Sequence, residues 1–248
     1  MFWVTEMPIA HRGLHDAARP ENSLAAFGAA LEAGYPIELD VQLLRDGAVA
    51  VFHDESLERM AGLPGHIRHQ TRASLAGMRL AASEETIPLL EDVLDRVGEA
   101  VPLLVELKSP DPVGRLEEET RRRLEGYRGA VAVCSFNPRS VAWFRDRAPD
   151  VLRGQDGSDE PDAPYGPGLD LSADPHFVAY DLRSLPQEAV DRARGRGMPL
   201  VAWTVRTSED LRRAGRLADN FIFEGIFPLG GSGGWSGGEP ASEGSGPP

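Results

Sequence analysis

Between Ile9 and Glu224, eight short apolar runs alternate with amphipathic stretches of helical period. No other feature constrains the fold as much, because strands separated by helices pair in parallel and bury both faces. The runs are Ile9–His11, Ile37–Gln42, Leu103–Lys108, Val131–Phe136, Val151–Gln155, Phe177–Asp181, Leu200–Val205 and Phe221–Glu224. Helical spacing falls between most of them. After the cap candidates Asn22 and Ser23, Leu24, Phe27 and Leu31 share one face, and Gly34 ends the segment. Leu90–Val97, Leu116–Leu124, Pro138–Arg147, Pro186–Arg194 and Ser208–Leu217 continue the series. The expected class is α/β, a (β/α)₈ TIM barrel, for which 248 residues is an ordinary length. The alternation by itself also fits a doubly wound open sheet.

Two segments interrupt the rhythm. Glu55 to Pro88 is long and irregular, and Asp156 to His176 is rich in Gly, Pro and Asp with no helical pattern. Loops of that length are usually functional or mobile. Gly230 to Pro248 has a composition that buries too little apolar area to offset its ordering entropy. The expected organisation is one catalytic barrel over residues 1–228 and a disordered tail over 229–248.

Lys and Arg number 26 against 39 Asp and Glu, a net charge of −13. That balance argues against nucleic acid and anionic membranes as partners, but not against a small phosphate ester held in a local cationic site. The single cysteine, Cys134, lies in an apolar run and is expected to be a buried small hydrophobe. Residues Met1 to Ala10 lack the basic and apolar regions of a signal peptide, and no apolar run reaches the roughly 20 residues of a membrane span. A soluble, cytoplasmic protein without stable membrane insertion is expected; nothing in the sequence speaks to its oligomeric state.

Side chains alternate faces along a strand. In Ile37 to Leu43, Glu38, Asp40 and Gln42 therefore share one face and the aliphatic residues the other. In Leu103 to Lys108, Glu106 and Lys108 oppose Leu103, Val105 and Leu107. In a barrel the aliphatic faces meet the helices and the charged faces point inward. Inward charges are costly unless paired or bound to metal, and three converging carboxylates suit a hard cation. Asp46-Gly47 then signals a tight turn that folds an antiparallel strand back onto the carboxylate strand. With Asp46 and Gly47 at the turn centre, Arg45 opposes Ala48 and Asp40 opposes His53. The first strand ends in His11-Arg12-Gly13, where barrels place active sites. Arg12 can fork onto a phosphate, Lys108 adds a point charge, and His11 and His53 suit an acid–base pair. His15, His66, His69 and His176 lack such a constellation and read as structural.

Together, His11-Arg12-Gly13, Pro20-Glu21-Asn22-Ser23, Glu38-Leu39-Asp40-Val41, Asp46-Gly47 with His53-Asp54, and Glu106-Leu107-Lys108 closely resemble the glycerophosphodiester phosphodiesterase pattern. Weaker echoes follow at Ser135-Phe136-Asn137-Pro138 and Trp203-Thr204-Val205, so the resemblance covers most of residues 8–228. It implies a (β/α)₈ barrel that hydrolyses glycerophosphodiesters to sn-glycerol 3-phosphate and an alcohol. It also implies a divalent metal, Mg²⁺ or Ca²⁺, held by Glu38, Asp40 and Glu106. His11 and His53 become the acid–base pair, in either order, and Arg12 and Lys108 the phosphate ligands. Asn22 and Trp203 are candidates for the rim, although helix capping also explains Asn22. Where the family usually carries Thr-Asp followed by Pro, this chain has Phe223-Glu224-Gly225, which makes Glu224 a candidate replacement for the aspartate. The nucleophile is water or the substrate's own 2-hydroxyl. The Glu55–Pro88 segment is short for a large cap domain, which predicts an open site that accepts varied head groups. The weighed alternatives are a lipid-directed relative with two mouth histidines and a silent phosphate-ester-binding barrel.

Overall fold

The computed structural model describes residues 2–228; the tail expected over 229–248 lies outside them. The strands, in chain order, are β1 (Ile9–Ala10), β2 (Ile37–Leu43), β3 (Val49–Val51), β4 (Leu103–Leu107), β5 (Val131–Ser135), β6 (Leu152–Gly157), β7 (Phe177–Asp181), β8 (Leu200–Val205) and β9 (Asn220–Phe223). Of these nine, all but β3 pair in parallel, and the β1–β2 pairing closes them into an eight-stranded barrel. Closure excludes the open sheet. The helices are α1 (Leu24–Ala33), α2 (Glu58–Ala61), α3 (Arg72–Leu75), α4 (Leu90–Val97), α5 (Arg115–Leu124), α6 (Pro138–Arg147), α7 (Glu188–Gly195) and α8 (Ser208–Leu217).

The alternation read from β2 and β4 holds. Ile37, Leu39, Val41, Leu103, Val105 and Leu107 are buried in one core with Phe27 of α1 and Leu90, Val93 and Leu94 of α4. Fully burying a ring such as Phe27 contributes about 1.5–3 kcal/mol. The opposite faces fill the barrel, where Ile9, Leu104, Ala132, Cys134, Phe177, Ala179, Val201 and Ile222 pack together. Trp3 and Val4, on the N-terminal 3₁₀ turn Trp3–Thr5, join this inner core. Asn220 ties the N-terminal segment to β9 by donating to the carbonyls of Val4 and Met7, each at 2.7 Å. Gly154 is required here: a Cβ would lie 2.3 Å from the Phe177 ring inside the barrel.

The β2–β3 hairpin departs from the expected register by one residue. Val41 faces Val51, Gln42 faces Ala50 and Leu43 faces Val49. The Leu44 amide bonds the Ala48 carbonyl at 2.8 Å, and Gly47, at φ +88°, donates to Leu44 at 3.0 Å. The loop is therefore three residues, Arg45-Asp46-Gly47, with glycine in the left-handed position of a bulge. Phe52, not His53, lies alongside Asp40, its amide donating to the Asp40 carbonyl at 2.9 Å.

The segment from Glu55 to Pro88 is less irregular than its sequence suggests. It carries α2, a 3₁₀ turn at Ile67–His69 and α3, and packs Leu57, Met60, Ile67, Leu75, Leu80 and Ile87 against Ala50 and Phe52 as a separate small core. The β6–β7 connection contains no helix, as its composition implies. β6 itself runs two residues further than expected and includes Asp156 and Gly157.

Candidate active site

His11 and Arg12 follow directly on β1. Arg12 and Asn22 both adopt left-handed backbone, at φ +53° and +56°, and the Asn22 amide donates to the Arg12 carbonyl at 3.0 Å. Such strain in non-glycine residues persists only where surrounding contacts hold it. Here the Arg12 amide donates to Glu38 Oε2 at 2.8 Å, and Asn22 Nδ2 donates to Asp40 Oδ2 at 2.8 Å. Gly13 closes the motif at φ +82°; a Cβ there would lie 2.8 Å from the backbone of Ala26 in α1. The cap of α1 is Ser23, whose hydroxyl accepts from Ala26 N. Asn22 is instead a buried strut beneath Asp40, so capping is not its task.

Glu38, Asp40 and Glu106 point into the barrel mouth and offer one oxygen each within 4.8 Å of one another. Burial, then the neighbouring Asp40 and Glu106, push the Glu38 carboxyl well above the usual range. Burial also opposes ionisation of Asp40, but the charges of Lys108 and Arg12 outweigh it and hold Asp40 well below the usual range. Lys108 Nζ lies 3.0 Å from Asp40 Oδ1 and 2.6 Å from Glu106 Oε1, and Arg12 Nε lies 3.2 Å from Asp40 Oδ2. A cation fits these residues: the donors are all hard carboxylate oxygens, and a bound cation would offset the burial and the neighbouring carboxylate charges that disfavour an ionised Glu38.

His53 is reached through a chain of carboxylates and guanidiniums. Its Nδ1 lies 2.7 Å from Asp54 Oδ1, Arg59 Nε donates to Asp54 Oδ2 at 2.6 Å, and Arg59 also binds Glu21, which accepts from Arg12 at 2.7 Å. Gln42, the third inward residue of β2, donates to the carbonyls of Phe52 and Asp54 at 2.9 and 2.8 Å and so fixes the backbone carrying His53. Trp203, half-buried, meets Phe136 edge-to-face with centroids 5.7 Å apart. A cleft of about 760 Å³ lined by Gln42, His53, Glu106, Lys108, Phe136 and Tyr165 opens from this point.

Glu224, just past β9, hydrogen-bonds His11 Nδ1, while Arg206 Nε donates to its other oxygen at 2.6 Å. Burial lowers the His11 pKa to about 4 against the opposing pull of Glu224, so the ring is neutral near pH 7. Burial opposes the Glu224 charge as well, but hydrogen bonds from His11 and His15 hold its carboxyl below the usual range. His15, read as structural from sequence, thus lies at the mouth, with Nε2 3.5 Å from Glu224 Oε2. Its partner is distant in sequence, and no local signal pairs them.

The sequence places Asp156 in a loop, whereas the structure has it buried at the end of β6. Burial and the charge of Glu106 raise its carboxyl well above the usual range. The run Arg153-Gly154-Gln155-Asp156 carries no apolar alternation that would extend the strand.

The shifts at His11 and Glu224 have one sign. Both folded-state values lie below the unfolded ones, so both groups contribute stability that is lost as protons bind the unfolded chain preferentially. In EDTA these two groups lower Tm as pH drops from about 6.5 toward 4, first through His11 and below about 4.5 also through Glu224, against Glu38 and Asp156, whose raised carboxyls act in the opposite sense. In His11→Gln the loss between pH 6.5 and 5 should shrink; an unchanged slope would remove His11 as its source.

Residues 11–223 match the family model described as glycerophosphoryl diester phosphodiesterase family. The chain belongs to this family. A glycerophosphodiester phosphodiesterase of Caldanaerobacter subterraneus subsp. tengcongensis is 33% identical over 220 residues, covering 83% of this chain and 88% of that protein. A Bacillus altitudinis glycerophosphodiester phosphodiesterase is 36% identical over 154 residues, covering 57% of this chain and 62% of its relative, so that match spans less than two thirds of the relative's length. The structure of an Oleispira antarctica phosphodiesterase in complex with the product sn-glycerol-3-phosphate superposes with a TM-score of 0.76 at 25% identity, covering 88% of this chain and 92% of that one. Among the described residues of this family member, no helix is long and apolar enough to cross a membrane.

Proposed function

We propose that this protein hydrolyses glycerophosphodiesters to sn-glycerol 3-phosphate and an alcohol, with a divalent cation held by Glu38, Asp40 and Glu106. The observation that carries this reading is the convergence at one barrel mouth of three carboxylates, two cations and two differently held histidines in a member of this family. The all-oxygen donor set favours Mg²⁺ or Ca²⁺. When bound, the cation supplies Lewis-acid stabilisation of charge on the phosphoryl oxygens.

The chain's own residues divide the remaining work. Arg12 and Lys108 bind phosphate oxygens, Arg12 as a planar fork and Lys108 as a point charge. Glu224 accepts the Nδ1 hydrogen of His11, which leaves Nε2 as a proton acceptor on a neutral ring: His11 is the base. To act as the acid His53 must be doubly protonated: Nδ1 donates to Asp54, whose charge stabilises the imidazolium, and the proton on Nε2 goes to the leaving alcohol. Trp203 and Phe136 form an apolar wall for the carbon skeleton of the substrate. The nucleophile is water or the substrate's 2-hydroxyl, and trapping of a cyclic glycerol phosphate distinguishes them.

The test is release of glycerol 3-phosphate from glycerophosphocholine and glycerophosphoethanolamine in EDTA, Mg²⁺ and Ca²⁺. Release should be absent in EDTA and restored by at least one metal. A folded protein that releases none in either metal would point to the lipid-directed or silent-barrel alternatives.

A further inference from the structure

His11, His15 and Glu224 form a second group whose donor atoms all lie within 4.8 Å of one another, on the opposite side of His11 from the three carboxylates. We propose that these three residues bind a borderline transition cation of the Zn²⁺ class, and that its binding inhibits the enzyme. Two imidazoles and one carboxylate select Zn²⁺ over Mg²⁺ or Ca²⁺, whereas the nearby carboxylate group selects the reverse. The mouth therefore offers two sites of different hardness.

A separate observation points to a ligand at this place. His15 Nε2 is shielded from solvent and stands 3.5 Å from Glu224 Oε2, the same oxygen that meets His11 Nδ1, so both imidazoles direct a ring nitrogen at one point. Arg206 anchors only the other oxygen, Oε1, and leaves Oε2 shared between the two histidines. Bonds of about 2.0–2.2 Å to a tetrahedral ion set its ligands roughly 3.3 Å apart. His15 and Glu224 already stand near that spacing. His11 and Glu224 are now in hydrogen-bond contact and must separate slightly to admit an ion between them.

The inhibition follows from tautomer chemistry and rests on the role proposed above for His11. Without the cation, the proton sits on Nδ1 and Nε2 accepts. With it, the Nδ1 lone pair is donated to the ion, solvent takes the Nδ1 proton and returns one to Nε2, and the ring stays neutral with its hydrogen on Nε2. His11 then has no free lone pair toward the substrate. The binding itself does not depend on that role.

The experiment uses the whole protein saturated with Mg²⁺. Zn²⁺ should inhibit glycerophosphocholine hydrolysis, and a tenfold rise in Mg²⁺ should not restore it. His15→Ala and His15→Gln should keep the Mg²⁺-supported rate while half-inhibition by Zn²⁺ moves up by at least about tenfold, the lower bound for losing even an outer partner of a metal. In parallel, Co²⁺ added to the Mg²⁺-loaded protein should give visible absorption bands that Zn²⁺ abolishes and both His15 variants lack. Zn²⁺ inhibition that Mg²⁺ relieves, or that is equal in the His15 variants, would overturn the proposal. So would absence of the Co²⁺ bands. If the protein proves inactive on diesters, the Co²⁺ titration still decides whether the site exists.

Discussion

His53→Ala and His11→Ala should each lower kcat by about 10²–10⁴-fold with the barrel intact, the usual contribution of a positioned acid or base. The two losses should differ in character. His11 is largely covered, neutral and fixed by Glu224, so its removal takes away the proton acceptor without disturbing the Glu21–Arg59–Asp54 chain. His53 is held by Asp54 at 2.7 Å on a partly exposed turn, so its removal takes away the donor to the leaving group. A substrate whose alcohol leaves without protonation, such as a nitrophenyl diester, should therefore recover much of the rate in His53→Ala and little in His11→Ala. Equal losses on both substrates would reverse or cancel the assignment.

Glu38→Gln should separate function from stability. Glu38 is buried beside Asp40 and Glu106, and its carboxyl is pushed up by burial and by those charges. At a pH high enough to ionise Glu38 in the metal-free protein, the substitution relieves repulsion with Asp40 and Glu106, while the amide oxygen can still accept from the Arg12 amide now at 2.8 Å. Tm in EDTA should rise; about 1 kcal/mol of relief corresponds to roughly 2–4 °C in a chain of this size. Cation binding should weaken, and kcat should fall by at least about 10²–10³-fold, the scale for losing one preorganised charge-stabilising contact. Calorimetric titration of Mg²⁺ and Ca²⁺ checks the first loss, and the diester assay the second. A variant that is less stable in EDTA and binds the cations normally would contradict the electrostatic account of the site.

Much of this arrangement is legible in the sequence. The strands were visible because each is a short run of β-branched and aliphatic residues between turn signals. The inward pair Glu38 and Asp40 was visible because a strand's period of two is exact. The structure brings His11, Arg12, Glu38, Asp40, Glu106 and Lys108 to one mouth, with Glu224 against His11 and Trp203 edge-to-face on Phe136. The hairpin register was missed because a dipeptide signal does not say whether two or three residues form the loop; the positive φ of Gly47 decides that. The Glu55–Pro88 core escaped notice because helices as short as Glu58–Ala61 and Arg72–Leu75 are too brief to show a period.

The sequence by itself determined the fold class, the alternation of faces and the chemical types at the ends of the strands, since these follow from local periodicity and from residue identity. Tertiary structure alone decided which distant residues meet. Closure of the barrel sets β9 beside β1 and so brings Glu224 to His11, 213 residues away in the chain. The same closure places His15 on that carboxylate, and the ladder of β6 on β5 and β7 carries Asp156 into the interior. Local patterns are silent on such meetings, because a side chain's partner across a closed sheet is set by strand order and register, not by its neighbours in sequence.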